Sequence, residues 1–533
     1  MEKTEFPDIS LLYPNPSEAE RKQSAHLSEA SAEQLELSRL IDMSESEAAQ
    51  FFSSDEDVLL YRQEMFADML ENPSLSDILT KMIPVLGDIT ELRKLGSDSA
   101  MSADGYLYSI TEVELYTSLL ADLKNGLEPL RDNLNSRAFR AFEERITTLT
   151  ESEYYKNINE RLEELTSRVR EIKSVTIGVN LDRTLRAEKA GVLSINNEPF
   201  KSGELLDKIL RLDFKNDEMT CIAPLVPFGK GQSENTEIAL SNAFDSAIND
   251  VFKQNIHSWK KVVQHYVLEN TDFLIRMIPE IEFVSKATEM LRKLREKGCP
   301  LVNPTLKKQS EKAFTAKGLW NPVVALKIDT EIVPNDFSFD ENGMIYVLTG
   351  PNRGGKSVIT CAVGLAFVMA ELGLPVCAES CEISPADAIF THFPTGSEDT
   401  IDKGRLGEEC SRLSEIFEKV TEDSLVLLDE SLSSTGSFEG AYIASEVLEG
   451  FSLVKCRGIF STHLHDLAAR VDSINETCVP KGGVKIDNLV AAIEKGSRSF
   501  RILREAPDGK SYARDFAEKY GLSIDRILEK IQR

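Results

Sequence analysis

The sequence predicts a multidomain protein in which an α-helical bundle with a small β-rich insert precedes an α/β nucleotide-binding domain. Three observations support this prediction. A length of 533 residues exceeds that of one ordinary domain. Amphipathic helical patterns fill the first half and are interrupted once by β-branched segments. From about residue 320, apolar strands alternate with helices, and one strand runs into "GPNRGGKS".

The composition limits the classes of protein to which the chain could belong. Hydrophobic residues make up 41% of the chain, which is ample for packed cores. No apolar stretch reaches about 18 residues, so we expect no membrane span. The start "MEKTEFPDIS" lacks the basic and apolar regions of a signal peptide, and the eight cysteines are scattered. These features predict a reduced, cytoplasmic protein.

Helical periodicity dominates the first half of the chain. In "INERLEELTSRVREI", Ile158, Leu162, Leu165, Val169 and Ile172 recur at steps of four and three, which predicts an apolar seam along a long helix. "SVTIGVNLD" and "AGVLSINNEPF" then predict short strands and a turn. Helical patterns return from about residue 236.

A basic stretch follows the helical region, and it allows two interpretations. It is either a solvated helix face or a surface that contacts phosphates or a partner. The net charge of −27 argues against a protein that wraps nucleic acid with its whole surface, but it leaves local basic patches possible. The basic residues are Lys286, Arg292, Lys293, Arg295, Lys297, Lys307, Lys308, Lys312 and Lys317.

The segment "GPNRGGKS" predicts a phosphate-binding loop because it fits G-x-x-x-x-G-K-[ST] between a strand and a helix. Its glycines let backbone N–H groups approach phosphate oxygens, and the helix N-terminus adds partial positive charge. Lys356 is expected to reach the β- and γ-phosphates of a nucleotide. The Ser357 hydroxyl is expected to bind Mg²⁺.

Two further motifs carry chemistry. "SLVLLDES" ends a buried strand in Asp429 and Glu430. Asp429 is predicted to hold the magnesium, and Glu430 to polarise the attacking water. In "STHLHDL", His463 ends an apolar strand, where it could sense the γ-phosphate.

With these motifs, the second half of the chain resembles the MutS family of DNA mismatch-repair ATPases, whose nucleotide domain is of the ABC class. The family loop T-G-P-N-M-G-G-K-S matches 349–357 except at Arg353, which replaces Met. The resemblance continues through "VPND", "AES", "DAIFTHF", "LLDE", "TGSFEG", "STHLHDL" and "SYARDFAEKYGL". "YRQEMFADMLENPSL" and "TIGVNLDRTLRAEKAGVLSIN" resemble the family's core and lever helices and its inserted clamp.

The resemblance implies a domain order. The expected segments are an N-terminal lead-in (1–56), a helical core/lever domain in two parts (57–173 and 216–319), an inserted clamp (174–215), a P-loop ATPase domain (320–505) and a C-terminal helical segment (506–533).

The resemblance also implies roles for single residues. Asn335 matches an asparagine near the adenine, Glu430 and His463 match the water-activating acid and the switch histidine, and Thr435, Ser437 and Gly440 lie in a loop that meets the partner subunit. The expected catalytic residues are Glu430, Lys356 and His463, and the expected Mg²⁺ ligands are Ser357 and Asp429. The expected nucleotide-binding residues are Asn335, Gly350, Pro351, Asn352, Arg353, Gly354, Gly355, Lys356, Ser357 and Val358.

The sequence departs from the family pattern in three places. "GRLGEE" stands where the family has S-T-F…E, so Glu409 fits the glutamate while Gly404 and Arg405 replace Ser-Thr. We hypothesise that Arg405 acts on the partner subunit's nucleotide, and a surface salt bridge is the alternative. The G-x-F-Y-E motif of mismatch-sensing members and the C-terminal nuclease domain of some relatives are not found. The expectation is a short form of the family.

The predicted function is an ATP- and Mg²⁺-dependent DNA-binding protein. Two copies would form a clamp switched by ATP binding and slow, DNA-stimulated hydrolysis, with repair proteins as further partners. Mismatch repair or a related repair or recombination process is the expected setting, and the expected location is cytoplasmic, with nucleoid association if the protein binds DNA. The alternative is a nucleotide-gated scaffold that grips a protein, which the charge of −27 favours.

Overall fold

A computed structural model describes residues 8–16, 26–98, 103–171, 173–181, 183–184, 187–199, 272–393, 404–494, 497–506 and 524–531. The chain divides into two compact units. Unit 1 comprises Met1–Phe6, Asp77–Asp132 and Ala141–Pro279, and unit 2 comprises Pro7–Ser76, Asn133–Arg140 and Glu280–Arg533. Three predicted segments lie outside the described residues: 200–215 of the clamp, the helical pattern at 236–271, and 507–523.

Helices account for most of the described part of unit 1 and alternate with strands in unit 2. In chain order they are α1 (Glu29–Gln34), α2 (Leu37–Leu40), α3 (Glu45–Ala49), α4 (Glu56–Glu71), α5 (Pro73–Asp98), α6 (Ala103–Leu127), α7 (Arg137–Glu151), α8 (Glu153–Glu171), α9 (Asp272–Arg276), α10 (Ile278–Glu296), α11 (Pro322–Lys327), α12 (Lys356–Glu371), α13 (Gly404–Phe417), α14 (Ser437–Val454), α15 (His465–Ala469), α16 (Val471–Cys478) and α17 (Ile524–Ile531). Within the described residues, no helix is both long and apolar enough to cross a bilayer.

The strands are concentrated in unit 2. In chain order they are β1 (His26–Leu27), β2 (Ser174–Leu181), β3 (Ala187–Asn196), β4 (Leu301–Val302), β5 (Thr305–Leu306), β6 (Phe314–Leu319), β7 (Asn335–Phe339), β8 (Ile345–Thr349), β9 (Val376–Cys377), β10 (Ser380–Ile383), β11 (Ala388–His392), β12 (Leu425–Asp429), β13 (Arg457–Ser461), β14 (Ile486–Glu494) and β15 (Ser497–Leu503).

Unit 1 is held together by the apolar faces of its helices and by a few buried polar contacts. Ile158 and Leu162, the first two members of the predicted seam on α8, are buried. The Tyr155 hydroxyl donates to a backbone carbonyl of α6 over 2.8 Å. The Arg93 guanidinium joins Glu112 on α6 (2.9 Å) to α9, so a cation offsets the buried carboxylate. These contacts join α8 to α6, and they join α5 to both α6 and α9.

The β-rich insert of unit 1 begins with an antiparallel hairpin. β2 pairs with β3 in the register Ser174↔Asn196 to Leu181↔Ala187. The strands therefore lie in the two segments where β-branched residues predict them. The Ser194 hydroxyl donates to the Thr176 hydroxyl across the pair over 2.9 Å.

In the described part of unit 2, seven strands form the main sheet in the order β1-β11-β12-β13-β8-β14-β15. Every neighbouring pair is parallel except β14–β15. All residues of β8, β11, β12 and β13 are buried, as expected for parallel strands covered on both faces. The parallel sheet that strand–helix alternation predicts is therefore present, and its strands end at one common edge.

The N-terminal lead-in contributes to this sheet. β1 pairs in parallel with β11 through His26↔Ala388. Ser28 caps α1 by accepting from the N–H of Ser31. Leu35 then packs so closely on α12 that a Cβ added at Gly364 would lie 2.9 Å from it. From residue 26 onward, the described lead-in is thus part of the core of unit 2.

Candidate functional site

The predicted phosphate-binding loop joins β8 to α12, and its backbone adopts conformations that demand glycine. Gly350 has φ 142° and Gly355 has φ 99°. A Cβ at Gly350 would lie 2.7 Å from the Cβ of Ala491 on β14. Arg353, which replaces the family's Met, is a non-glycine residue at φ 58°. A non-glycine residue in this left-handed conformation raises the free energy of the folded state by on the order of 1–3 kcal/mol, and residues of this kind are found chiefly at functional sites.

Lys356 is the first residue of α12 and is 4% exposed. Its Nζ donates to the carbonyl oxygens of Gly350 (3.2 Å) and Pro351 (3.4 Å), so the ammonium bends back over the loop. Burial lowers the pKa of this ammonium, while the carboxylates of Glu430 and Asp429 oppose the shift. A buried cation held by two carbonyls is available to an anion that enters the loop.

Asp429 is the last residue of β12, beside the loop. Burial raises the pKa of its carboxyl, and the nearby hydroxyls of Ser357 and Ser461 lower it. Its Oδ1 is buried and has no hydrogen-bonding partner in the described part of the chain. A buried carboxylate oxygen without a hydrogen-bonding partner, next to the Ser357 hydroxyl, is the kind of hard ligand that Mg²⁺ prefers. Ser357 and Asp429 therefore remain the candidate metal ligands.

Glu430 follows β12 in a left-handed conformation, at φ 50°. Its N–H donates to the carbonyl of Ser461, the last residue of β13, over 2.8 Å. Its Oε1 lies 2.7 Å from Nε2 of His463, two residues beyond β13. A carboxylate only accepts hydrogen bonds, so Nε2–H of His463 is the donor. The adjacent ends of two parallel strands thus join the predicted base and the predicted switch histidine.

A cavity of about 400 Å³ lies at the loop. Of the predicted residues, Asn335, Arg353, Gly354, Gly355, Lys356, Ser357, Val358 and Glu430 line it. Gly350, Pro351, Asn352, Asp429 and His463 are not among its lining residues. The sequence did not single out the rest of the wall, which consists of Leu319, Asn321, Val324, Ile328, Thr330, Glu331, Ile332, Val333, Ile359, Ala362 and Phe500.

Asn335 and Phe500 both line this cavity, and a Cβ built at Gly355 of the phosphate loop would lie 3.7 Å from the Phe500 ring. Both ends of the Asn335 amide are bonded: Nδ2 donates to the carbonyl of Phe500 (3.1 Å), and Oδ1 accepts from the N–H of Ile502 (2.7 Å). Asn335 therefore fastens β15 to β7. Phe500, with φ 57° and 47% exposure, presents a half-exposed ring to the cavity. A half-exposed aromatic ring in a nucleotide-sized cavity is a candidate base-stacking group.

Of the three residues predicted to lie in a loop that meets a partner subunit, Thr435 lies between β12 and α14, whereas Ser437 and Gly440 lie in the first turn of α14. Ser434 Oγ donates to the predicted glutamate, Glu409 on α13, over 3.1 Å. Thr435 Oγ1 donates to Glu439 over 2.7 Å. The side chain of Arg405 lies outside the described residues.

Four of the nine residues of the basic stretch form ion pairs with acids in the described part of the chain. Its ion pairs join Lys293 to Glu289 (2.7 Å), Lys297 to Asp329, Lys307 to Glu382 (3.7 Å) and Lys312 to Glu422 (2.8 Å). Arg292 also donates to the carbonyl of Met69 over 3.1 Å. These pairs favour the interpretation as a solvated helix face.

The parallel sheet, the phosphate loop and the paired acids at the strand ends define a P-loop nucleotide-binding domain. Two family models match the chain: MutS domain V over residues 346–529, and the MutS2 N-terminal domain over residues 54–297. The first match covers most of the site, and the second covers the helices and hairpin compared above with the core, lever and clamp. The chain belongs to the MutS family.

Curated relatives are similar to part of the chain. The DNA mismatch repair protein MutS of Prochlorococcus marinus (strain MIT 9301) is 32% identical over 235 residues, which are 43% of this chain and 24% of that protein. The DNA mismatch repair protein MSH7 of Arabidopsis thaliana is 41% identical over 163 residues, 28% of this chain and 14% of its own length. The DNA mismatch repair protein Msh6 of Gallus gallus is 42% identical over 147 residues, which are 26% of this chain and 11% of that protein. The chain thus spans about a quarter or less of these relatives.

Proposed function

We propose that the protein is an ATPase that binds ATP with Mg²⁺ and hydrolyses it to ADP and phosphate. The observation that carries this proposal is the Glu430–His463 pair, placed at the strand ends beside Lys356 and Asp429. The α12 N-terminus and the loop amides would bind the phosphates, and Lys356 would exchange its two carbonyl partners for phosphate oxygens. The adenine base of the ATP would lie near Phe500.

Hydrolysis needs an acceptor for the proton of the attacking water. Glu430 lines the cavity and is the candidate acceptor, and His463 orients its carboxylate through the Nε2–H hydrogen bond. Ser357 and Asp429 would hold the Mg²⁺, which, when bound, neutralises charge on the phosphate oxygens. A carboxylate aimed by one hydrogen bond can be re-aimed when that bond changes, so the site suits slow, switch-like turnover.

The test compares single-turnover hydrolysis by the wild type, Glu430→Gln and Glu446→Gln. Glu446 is an exposed residue of α14, outside the site, and its substitution is the matched control. We expect Glu430→Gln to bind Mg²⁺-ATP with unchanged affinity and to lose hydrolysis by roughly two orders of magnitude or more, the usual range for a general base. Native-rate hydrolysis by Glu430→Gln would contradict the assignment of the base.

We further propose that this ATPase binds DNA as a dimeric clamp, in mismatch repair or a related process. The names of the curated relatives support DNA as the partner. Binding of homoduplex, mismatched, branched and single-stranded DNA should be measured at two salt concentrations, with and without ATP. Contacts to phosphates predict an affinity that falls steeply with salt. Light scattering with and without ATP reports the dimer.

The second candidate function is a nucleotide-gated scaffold that grips a protein. Two observations favour it: the net charge of −27 and the ion pairs made by four of the nine residues of the basic stretch. Nucleotide-dependent change in the protein without binding to any DNA form would favour this scaffold.

A further inference from the structure

The turn after β12 is strained on both sides of Ser431. Glu430 has φ 50° and Leu432 has φ 62°, although neither is a glycine. Residues with side chains stay in this region only where their surroundings impose it. Because Glu430 is the proposed base, the contacts that fix this turn also decide where its carboxylate points.

Ser431 makes those contacts with His392, the last residue of the neighbouring strand β11. Its Oγ donates to the carbonyl of His392 over 3.0 Å and lies 2.7 Å from Nδ1 of the same residue. Both residues are 2% exposed. β11 and β12 are paired in parallel with His392 opposite Leu428, so this contact reaches from the rigid sheet to the strained turn. We call these two residues the His392–Ser431 clip.

The protons of the clip can be assigned. Burial, and then the Arg412 guanidinium, lower the pKa of His392 to about 4, so its ring is neutral near pH 7. The Ser431 hydroxyl has one proton, which goes to the His392 carbonyl. The short contact at Nδ1 must therefore be an Nδ1–H that donates to Oγ. Backbone carbonyls, among them that of Glu409, partly oppose the shift in the pKa of His392.

We propose that the His392–Ser431 clip positions Glu430 for hydrolysis, without touching the nucleotide. This proposal rests on the proposed ATPase function. Neither residue lines the cavity at the phosphate loop, and their contacts are to the turn that carries Glu430, so we assign them a positioning role. Loss of the clip should let the left-handed turn relax and shift the Glu430 carboxylate, while the phosphate loop and the base-binding wall stay intact. The clip is thus expected to govern kcat and not nucleotide affinity.

The experiment measures kcat, KM and the Kd for Mg²⁺-ATP in Ser431→Ala, His392→Ala, the double variant and His392→Asn. Misplacement of a reacting group by about 1 Å can cost roughly a hundredfold in rate, so we expect each alanine variant to lose about ten- to a hundredfold in kcat. Kd should change less than about twofold. The double variant should resemble Ser431→Ala, because that substitution already removes both hydrogen bonds of the clip, whereas His392→Ala removes only the bond at Nδ1.

A conservative variant and a control separate positioning from folding. The Asn side-chain amide can replace Nδ1–H as a donor to Ser431, so His392→Asn should recover kcat to within a few-fold of the wild type. Ser445→Ala removes another buried serine hydroxyl, which donates to the carbonyl of Ala441 within α14, and should leave kcat unchanged. Melting temperatures of all variants show how much stability each has lost.

Each result decides the question. Wild-type kcat in Ser431→Ala overturns the proposal, and so does a loss of kcat matched by an equal loss of affinity. Failure of His392→Asn to recover activity lost in His392→Ala also overturns it. A wild type that does not hydrolyse ATP, or a fully active Glu430→Gln, would instead contradict the proposed function. An inactive Glu430→Gln together with an active Ser431→Ala would contradict the positioning role of the clip and leave the proposed ATPase function intact.

Discussion

Glu371 should make the stability of unit 2 depend on pH with an unusual sign. It is the last residue of α12, is 1% exposed, and accepts a hydrogen bond from the N–H of Ala386 over 2.8 Å. Burial raises the pKa of its carboxyl from 4.5 to about 8; the Ala386 bond and the Arg457 guanidinium only partly oppose this. Glu371→Gln keeps the size and the acceptor oxygen but removes the titration.

The sign follows from proton binding. The folded protein holds this proton up to about pH 8, whereas the unfolded chain releases it near pH 4.5. The contribution of protonated Glu371 to the free energy of unfolding is therefore fully present below pH 4.5, and it is lost as the pH rises towards 8. At about 1.4 kcal/mol per pKa unit, the loss amounts to at most about 5 kcal/mol. The stability advantage of Glu371→Gln should grow from near zero below pH 4.5 to that value above pH 8.

The assay needs a probe that reports on unit 2. The chain has two tryptophans, Trp259 and Trp320. In a Trp259→Phe background the remaining tryptophan, Trp320, lies in unit 2, where its backbone N–H donates to the carbonyl of Cys377 over 2.8 Å. Urea unfolding followed by its fluorescence at pH 5, 6, 7, 8 and 9 gives the free energy of unfolding for both variants.

The control is Glu382→Gln on β10, whose side chain is 57% exposed. Its effect should stay within about 0.5 kcal/mol at every pH, as is usual for surface substitutions. A difference between Glu371→Gln and the wild type that stays constant from pH 5 to 9 would refute the reasoning. It would mean that Glu371 is ionised throughout, paired with Arg457.

Three further predictions concern the nucleotide. Phe500→Ala should weaken ATP binding roughly 5- to 150-fold, since one base–aromatic stack contributes about 1–3 kcal/mol, and inorganic triphosphate should bind both variants equally in calorimetry. Gly350→Ala should weaken Mg²⁺-ATP binding at least about tenfold, because its Cβ would lie 2.7 Å from that of Ala491. Gly87→Ala, where nothing lies within 4 Å, is the control and should bind normally. If Arg405 acts across a dimer, Arg405→Ala should lower turnover without changing ATP affinity; unchanged turnover would leave the surface salt bridge as its role.

Much of the site could be predicted from consecutive residues. The phosphate loop is local, because glycine spacing, the following lysine and the flanking strand and helix are all read within about 20 residues. The Asp429–Glu430 pair is equally local, since it ends an apolar strand. Parallel pairing also follows from strand–helix alternation. The structure accordingly places Lys356, Ser357, Asp429 and Glu430 at one edge of the sheet.

Contacts between distant segments could not be predicted, because they depend on how the strands are ordered and packed. The sequence gives no reason to connect Phe500 with the phosphate loop. It takes the Asn335 amide, 165 residues away, to fix β15 against β7 and expose the ring to the cavity. The same holds for the lead-in, whose β1 finds its partner β11 more than 300 residues further along the chain.

Residue types and their spacing are enough to predict which residues bind phosphate, bind a metal and accept a proton, because backbone freedom and side-chain chemistry are local properties. How the base is held depends on contacts that form only in the folded chain. Glu430 meets His463 because β12 and β13 are adjacent, and Ser431 meets His392 because β11 lies on the other side of β12. Strand order is set by burial of the whole sheet, and that is a property no short stretch of the chain contains.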